Sequence, residues 1–478
     1  MKSMFKTDDW WAVWIGLFVL ILALGPLAGL DILGWAVKTN VWVDLGKAVE
    51  PVSKPYASVP GFLSLILSYL FLLVIMSIGA VALRLNLGKF AIGFTIIFWL
   101  SYVCWLIGNS AVIAATPEMP VYKSVPWSLR LTGEAGFVVA LLGGLIIGNF
   151  FPGVAEYLKE ATKPEWYIRT AIVILGASLG VQAAGALGLA TQVMFRGLAA
   201  IVEAYLIYWA LVYFVARRFF KFSREWSAPL AAGISICGVS AAIAVGAAIR
   251  SRPVVPIMVS SLVVIFAVVE LLILPFAAQA FLYQEPMVAG AWMGLAVKTD
   301  GAATASGAVA ESLIRARALA EQGLNYKEGW MLMATTTVKT FIDVFIGIWA
   351  FVLALVWVNV IDKKKGEKVR AIEIWERFPK FVIGYVISFG LLLIVATQFG
   401  PNVLNAAKTA TAESNIFRVL FFVMTFFTLG LMSNFKRLWQ EGIGKLALVY
   451  VISLFGFIIW IGLFISYLFF NGVRPPLS

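Results

Sequence analysis

Histidine is absent from this chain. That removes the commonest metal ligand and the usual proton shuttle near neutral pH. Zinc and haem enzymes and Ser-His-Asp hydrolases are thereby excluded. Only two cysteines are present, Cys104 and Cys237, and nothing near them has metal-ligand spacing. No GxxxxGK[ST] loop cradles a phosphate, so nothing points to ATP as a driving force. No soluble stretch is long enough to house an enzyme. Neither catalysis nor a metal or organic cofactor is expected.

Charge is also scarce. Charged residues make up 13% of the 478 and apolar residues 62%, against about 25% and 45–50% in soluble domains. Mean hydropathy is +0.93. Apolar runs of 18 or more residues read as membrane spans, because about 20 residues at 1.5 Å each cross the hydrocarbon. About thirteen such segments follow by that criterion, near 11–33, 60–84, 88–115, 134–151, 168–190, 194–216, 226–249, 254–282, 287–310, 330–360, 378–399, 415–433 and 443–470. The short alternating segments of a β-barrel are missing. The expectation is an all-α polytopic membrane protein.

The net charge of +12 does not imply a nucleic-acid partner, because the basic residues cluster in short loops: Arg84/Lys89, 217–224, 363–370, and 435–440 with Lys445. Short basic loops face the cytoplasm. On that rule the N-terminus, with Lys2 and Lys6, is cytoplasmic in the inner (plasma) membrane, while 34–59, 116–133 and 311–329 face outward. The N-terminal apolar run is too long for a cleaved signal peptide, and Asp8 and Asp9 precede it. It reads as a retained first span. The first three spans are bulky and Trp-rich, with Trp10, Trp11, Trp14 and Trp35 as interface anchors or a homodimer face. From about residue 134 glycine, alanine, serine and buried charge become common. The expected division is an accessory part at 1–133 and a transport core at 134–478.

Two segments violate the composition of a lipid-facing span: 227–252, with CGVSAA at 237–242, and 290–311, with GLAVKTDGAATASGA at 294–308. Small residues allow close helix packing. They also suit helices that unwind inside the membrane, where freed N–H groups and helix ends hold ions. Gly238, Ser240, Thr299, Gly301 and Ser306 are candidate break residues, and Cys237 lies beside the first. Lys298 and Asp300 each cost about 2.5–3.5 kcal/mol at a helix centre on insertion scales, so they must face protein or water. Lys339 and Asp343 are four apart and share a helix face. They offer either a second cation for an anionic substrate or a self-neutralising pair, with hydroxyls from Thr335, Thr336, Thr337 and Thr340 nearby. Glu203 and Glu270 are lone acids in apolar runs, suited to carry a proton or to bind a neighbouring helix.

The segment SICGVSAAIAV (235–245) resembles the ICGxSAI stretch of the YeiH-type family of sulfate exporters. LLGGLIIGNFFP (141–152), ILGASLGVQ (174–182), GAWMGLAVKTDGAATASG (290–307), VKTF (338–341), FPKFVIGY (378–385) and FTLGLMSNFKRL (427–438) match in the same order. The resemblance covers about 134–470. It implies a core of two inverted five-helix repeats with broken or re-entrant helices, and a secondary carrier for sulfate or a related sulfur oxyanion. Where that family reads Val-His-Asp-Thr, this chain has Val297, Lys298, Thr299 and Asp300, and no second basic residue follows Lys339 closely. The expected activity is alternating-access transport of a small anion or sulfonate. Cys237, Gly238, Ser240, Lys298, Thr299, Asp300, Gly301 and Lys339 are its candidate contacts. Asp300, Asp343, Glu203 and Glu270 are candidate sites for a coupling Na+ or H+. An uncoupled anion channel and a membrane anion sensor or scaffold are the rivals.

Overall fold

The computed structural model describes residues 6–115, 119–129, 131, 133, 135–252, 254–361, 375, 378–433 and 444–478. The basic stretches 363–370 and 435–440, part of the segment 116–133 expected to face outward, and Lys2 lie outside these residues.

The described chain is helical apart from one small hairpin. Ten helices are long and apolar enough to cross a membrane. In chain order the main helices are α1 (Asp8–Ala23), α2 (Gly61–Ala82), α3 (Leu87–Gly108), α4 (Ala135–Phe150), α5 (Pro164–Ala184), α6 (Leu187–Arg218), α7 (Arg224–Ser235) and α8 (Ser240–Ala248). They continue as α9 (Val254–Phe281), α10 (Pro286–Ala296), α11 (Asp300–Gln322), α12 (Trp330–Val356), α13 (Phe381–Gln398), α14 (Gly400–Met432) and α15 (Gly444–Phe470). Large apolar side chains stand exposed along them, among them Phe62 and Ile78 on α2 and Trp460, Phe464 and Leu468 on α15. A soluble monomer rarely presents so much apolar surface. The molecule is an all-α polytopic membrane protein.

The segments 226–249 and 287–310 are broken, as their small residues suggest: each is two helices, α7/α8 and α10/α11. Two other expectations change. The span expected at 415–433 begins near residue 400 and runs 33 residues. Its polar first half, NVLNAAKTATAES, is rich in alanine, a strong helix former, so polarity there does not mean a loop. The segment 34–59 holds a two-stranded antiparallel hairpin, β1 (Val37–Thr39) with β2 (Val49–Pro51), in the register Val37 to Pro51.

The chain forms two compact units. One comprises Met1–Ala190, Arg315–Asn325 and Lys380–Met432, and the other Thr191–Ile314, Tyr326–Pro379 and Ser433–Ser478. The functional division expected at residue 134 is a different partition from this one.

In the first unit α5 packs against α1, α13 and α14, and α14 also lies along α4. The α4–α14 crossing is a backbone-to-backbone contact. A Cβ on Gly144 would lie 2.0 Å from the Phe427 carbonyl oxygen, and one on Gly430 would lie 2.2 Å from that of Leu141. The glycines of LLGGLIIG and FTLGLM therefore serve close helix approach. Asp9 has a local role as well. Its carboxylate accepts the backbone N–H groups of Lys380 and, at 3.2 Å, Phe381, which lie at the start of α13, where orphan N–H groups need acceptors.

Candidate functional site

The two broken helices belong to the second unit and meet at their breaks. Helix α7 is 12 residues long and α10 is 11. At 1.5 Å per residue these are about 17–18 Å, too short for about 30 Å of hydrocarbon. The first break covers 236–239 and the second 297–299. Val297 is extended, with φ −86° and ψ 126°. Thr299 then caps α11, its hydroxyl accepting the Ala302 N–H at 3.2 Å and its carbonyl that of Ala303 at 2.9 Å. A backbone hydrogen bond joins the breaks, the Gly238 N–H donating to the Lys298 carbonyl at 2.8 Å. A Cβ on Gly238 would meet Val263 Cγ1 at 2.3 Å and Thr299 Cγ2 at 3.1 Å. The small residue at 238 is what permits the crossing.

This crossing creates two kinds of helix end. The N-termini of α8 and α11 carry partial positive charge, and the C-termini of α7 and α10 partial negative charge. Each lysine takes one of the negative ends. Lys339 Nζ donates to the Ile236 carbonyl at 2.7 Å, just past α7. Lys298 Nζ donates to the Leu295 carbonyl in the last turn of α10. Both lysines are buried, at 3% and 1% exposure.

Their charge environments differ. Lys339 Nζ lies 3.6 Å from Asp300 Oδ1 and 3.6 Å from Asp343 Oδ1. At that spacing each pair gains about 4 kcal/mol at an effective dielectric of 20, comparable with the several kcal/mol lost on desolvating an ion. Among the described residues Lys298 has no carboxylate oxygen within 4.0 Å of Nζ. Its ammonium stands 4.4 Å from the ring centroid of Tyr208, a contact worth about 2 kcal/mol when desolvated. Glu203, Lys339 and Glu270 act on it electrostatically from further away. Lys298 is thus the less compensated cation.

Asp300 faces Lys339 rather than Lys298, and it accepts the Cys237 thiol at 3.0 Å. Glu270 accepts the Lys298 backbone N–H at 3.2 Å and the Tyr450 hydroxyl at 2.6 Å. It therefore ties α9 to the second break and to α15. Among the described residues neither carboxylate oxygen of Glu203 accepts a hydrogen bond, since the neighbouring Tyr208 hydroxyl donates to the Ile458 carbonyl at 2.8 Å.

Of the residues expected from sequence, Cys237, Gly238, Lys298, Thr299, Asp300, Glu270, Lys339 and Asp343 come together around the two breaks. Ser240 opens α8 beside them. The Gly238 N–H is already spent on Lys298. Gly301 and Ser306 lie inside α11, not at a break. The hydroxyl of Thr335 donates to Gly290 O at 2.7 Å, and that of Thr336 to Leu332 O at 2.8 Å, so both are spent on helix carbonyls. Tyr208 and Tyr450 escaped sequence reasoning, since a tyrosine in an apolar run looks like core. A usable signal was the spacing of Tyr208 five residues after Glu203. That stretch, Glu203–Tyr208, is a π-helical turn, a form frequent at functional sites.

Comparison with known proteins gives a consistent relationship. The family model described as conserved hypothetical protein 698 matches residues 130–450. A UPF0324 membrane protein of Nitrosomonas europaea is 44% identical over 99% of this chain and 98% of its own length. An uncharacterized protein of Archaeoglobus fulgidus is 49% identical over 31% of this chain and 89% of its own length. A UPF0324 membrane protein of Rhodopirellula baltica is 29% identical over 81% of this chain and 64% of its own length. The chain belongs to this family of membrane proteins, the YeiH-type family that its motifs resemble.

Proposed function

We propose that this chain, as a membrane protein of that family, is a secondary-active transporter of a small anion that binds at Lys298. The observation that carries the reading is the fully buried Lys298 ammonium, with no carboxylate within 4.0 Å among the described residues, at the crossing of two helix breaks. The N-termini of α8 and α11 add partial positive charge there, and irregular backbone inside a membrane is tolerated where it lines a cavity. The favoured substrates are sulfate, another sulfur oxyanion or a sulfonate, carried by alternating access through a site near the bilayer midplane. The core is two inverted five-helix repeats, and the membrane is the inner one with the N-terminus cytoplasmic. The tryptophans of the first spans serve a homodimer face.

Charge counting favours a coupled carrier over an uncoupled channel. The crossing and the residues that act on it electrostatically include four buried acids, Glu203, Glu270, Asp300 and Asp343, and two lysines, so full ionisation leaves 2 − 4 = −2. An anion enters such a site only when carboxylates are neutralised by a proton or a bound cation. Flux therefore follows a proton or sodium gradient, whereas a channel ignores it.

The test uses vesicles containing the purified protein, loaded in turn with sulfate, sulfite, a sulfonate and a carboxylate. Lys298→Ala lowers flux of the carried anion about tenfold or more. Unchanged flux in that variant ends the reading. Binding of an anion without flux in the native protein turns it toward a sensor.

A further inference from the structure

The environment of Lys339 has the composition of a cation-binding site. The sulfur of Cys237 and carboxylate oxygens of Asp300 and Asp343 all lie within 4.8 Å of one another. The three residues are buried, at 2%, 2% and 1% exposure. The Ile236 carbonyl, freed by the break after α7, completes the set, 2.7 Å from Lys339 Nζ. Two carboxylates and an unwound-helix carbonyl are the donors that transporters use for small cations, at metal–oxygen distances of about 2.3–2.6 Å for a calcium-sized ion. What occupies this space is the ammonium of Lys339.

The ammonium fills the site incompletely. Its separations of 3.6 Å from both carboxylates exceed the 2.7–2.9 Å of a charge-assisted hydrogen bond. Among the described residues Asp343 Oδ1 has no hydrogen-bond partner despite full burial. The unsatisfied Asp343 Oδ1 separates this arrangement from an ordinary ion pair, in which that oxygen would accept a hydrogen bond. The lysine also reaches the pocket from α12, whereas the donors come from the two breaks and from Asp343 one turn along α12.

We propose that Cys237, Asp300, Asp343 and the Ile236 carbonyl form a cation site whose occupant is the tethered ammonium of Lys339, so that the native chain takes no sodium there and binds a free metal cation only when that ammonium is removed. The inference goes beyond the anion reading and does not depend on it. It holds whether or not Lys298 binds an anion.

The experiment measures thermal unfolding of the full chain in detergent, in sodium chloride against choline chloride at equal ionic strength, and with micromolar cadmium as the thiophilic probe. The native protein melts at the same temperature in both salts. Lys339→Ala melts lower in choline and rises by several degrees with sodium or cadmium at saturation. Adding Cys237→Ser to that variant removes the cadmium response, and adding Asp300→Asn weakens both. Lys339→Gln, which removes the charge but keeps a polar side chain, serves if the alanine variant fails to fold, and gains the same cation response. The proposal is overturned if the native protein is stabilised by sodium as strongly as the variants are. It is equally overturned if folded Lys339→Ala or Lys339→Gln responds to neither cation. A loss of anion binding in Lys298→Ala changes none of these outcomes, so the two readings fail separately.

Discussion

At the scale of single residues, two buried lysines that look alike in sequence have different roles. Both sit on the carbonyl end of a broken helix, but only Lys339 has carboxylates in contact. Lys298 relies on the Tyr208 ring at 4.4 Å and on more distant acids. The ring and the hydroxyl of Tyr208 can be separated experimentally. Tyr208→Phe keeps the ring and loses the bond to Ile458, costing about 1 kcal/mol. Tyr208→Leu loses the ring too and costs a further 0.5–2 kcal/mol or so from the cation–ring contact. Chemical denaturation of the two variants measures the difference, and equal stabilities would show that the ring does not support Lys298.

At the scale of elements, glycine has two jobs that composition alone does not distinguish. Gly144 and Gly430 let α4 and α14 touch backbone to backbone, while Gly238 lets two breaks cross. Gly144→Val places carbon atoms within 2.0 Å of the Phe427 carbonyl and forces the helices apart. The expected result is loss of monodisperse protein on size-exclusion chromatography, whereas Gly153→Val, which meets nothing within 4 Å, behaves as native. A monodisperse Gly144→Val of native melting temperature would contradict the packing account. The broken segments were legible from their clustered small residues, and the second also because a lysine and an aspartate cannot lie in a lipid-facing helix. Gly238 and Thr299 were rightly placed in the breaks, but the extent of the second was not legible, since Gly301 and Ser306 have the same small size as Gly238 yet stay helical. Pairing was not legible either: Lys298 and Asp300 are two apart, and tertiary contact gives Asp300 to Lys339 instead. The hairpin at β1 and β2 escaped notice because its strands are three residues each, too short for a periodic signal.

At the scale of the molecule, long apolar runs were enough to mark a membrane protein, and the exposed apolar faces of α2 and α15 agree with it. Orientation is a separate matter, resting on where lysine and arginine fall. It predicts that a cysteine replacing Asn40 is labelled by an impermeant maleimide added to intact cells, and that one replacing Lys221 is labelled only after permeabilisation. The reverse pattern would place the N-terminus outside. Both positions lie in described loops, so neither substitution disturbs a helix.

The central claim is that the Lys298 ammonium binds the transported anion. It is tested most directly by uptake of labelled sulfate, sulfite and sulfonates into vesicles containing native protein, Lys298→Ala or Lys298→Arg. The account predicts that native protein carries at least one of these anions, that Lys298→Ala lowers its uptake about tenfold or more, equivalent to about 1.4 kcal/mol, and that Lys298→Arg retains part of it. Uptake by Lys298→Ala at the native rate would contradict the account.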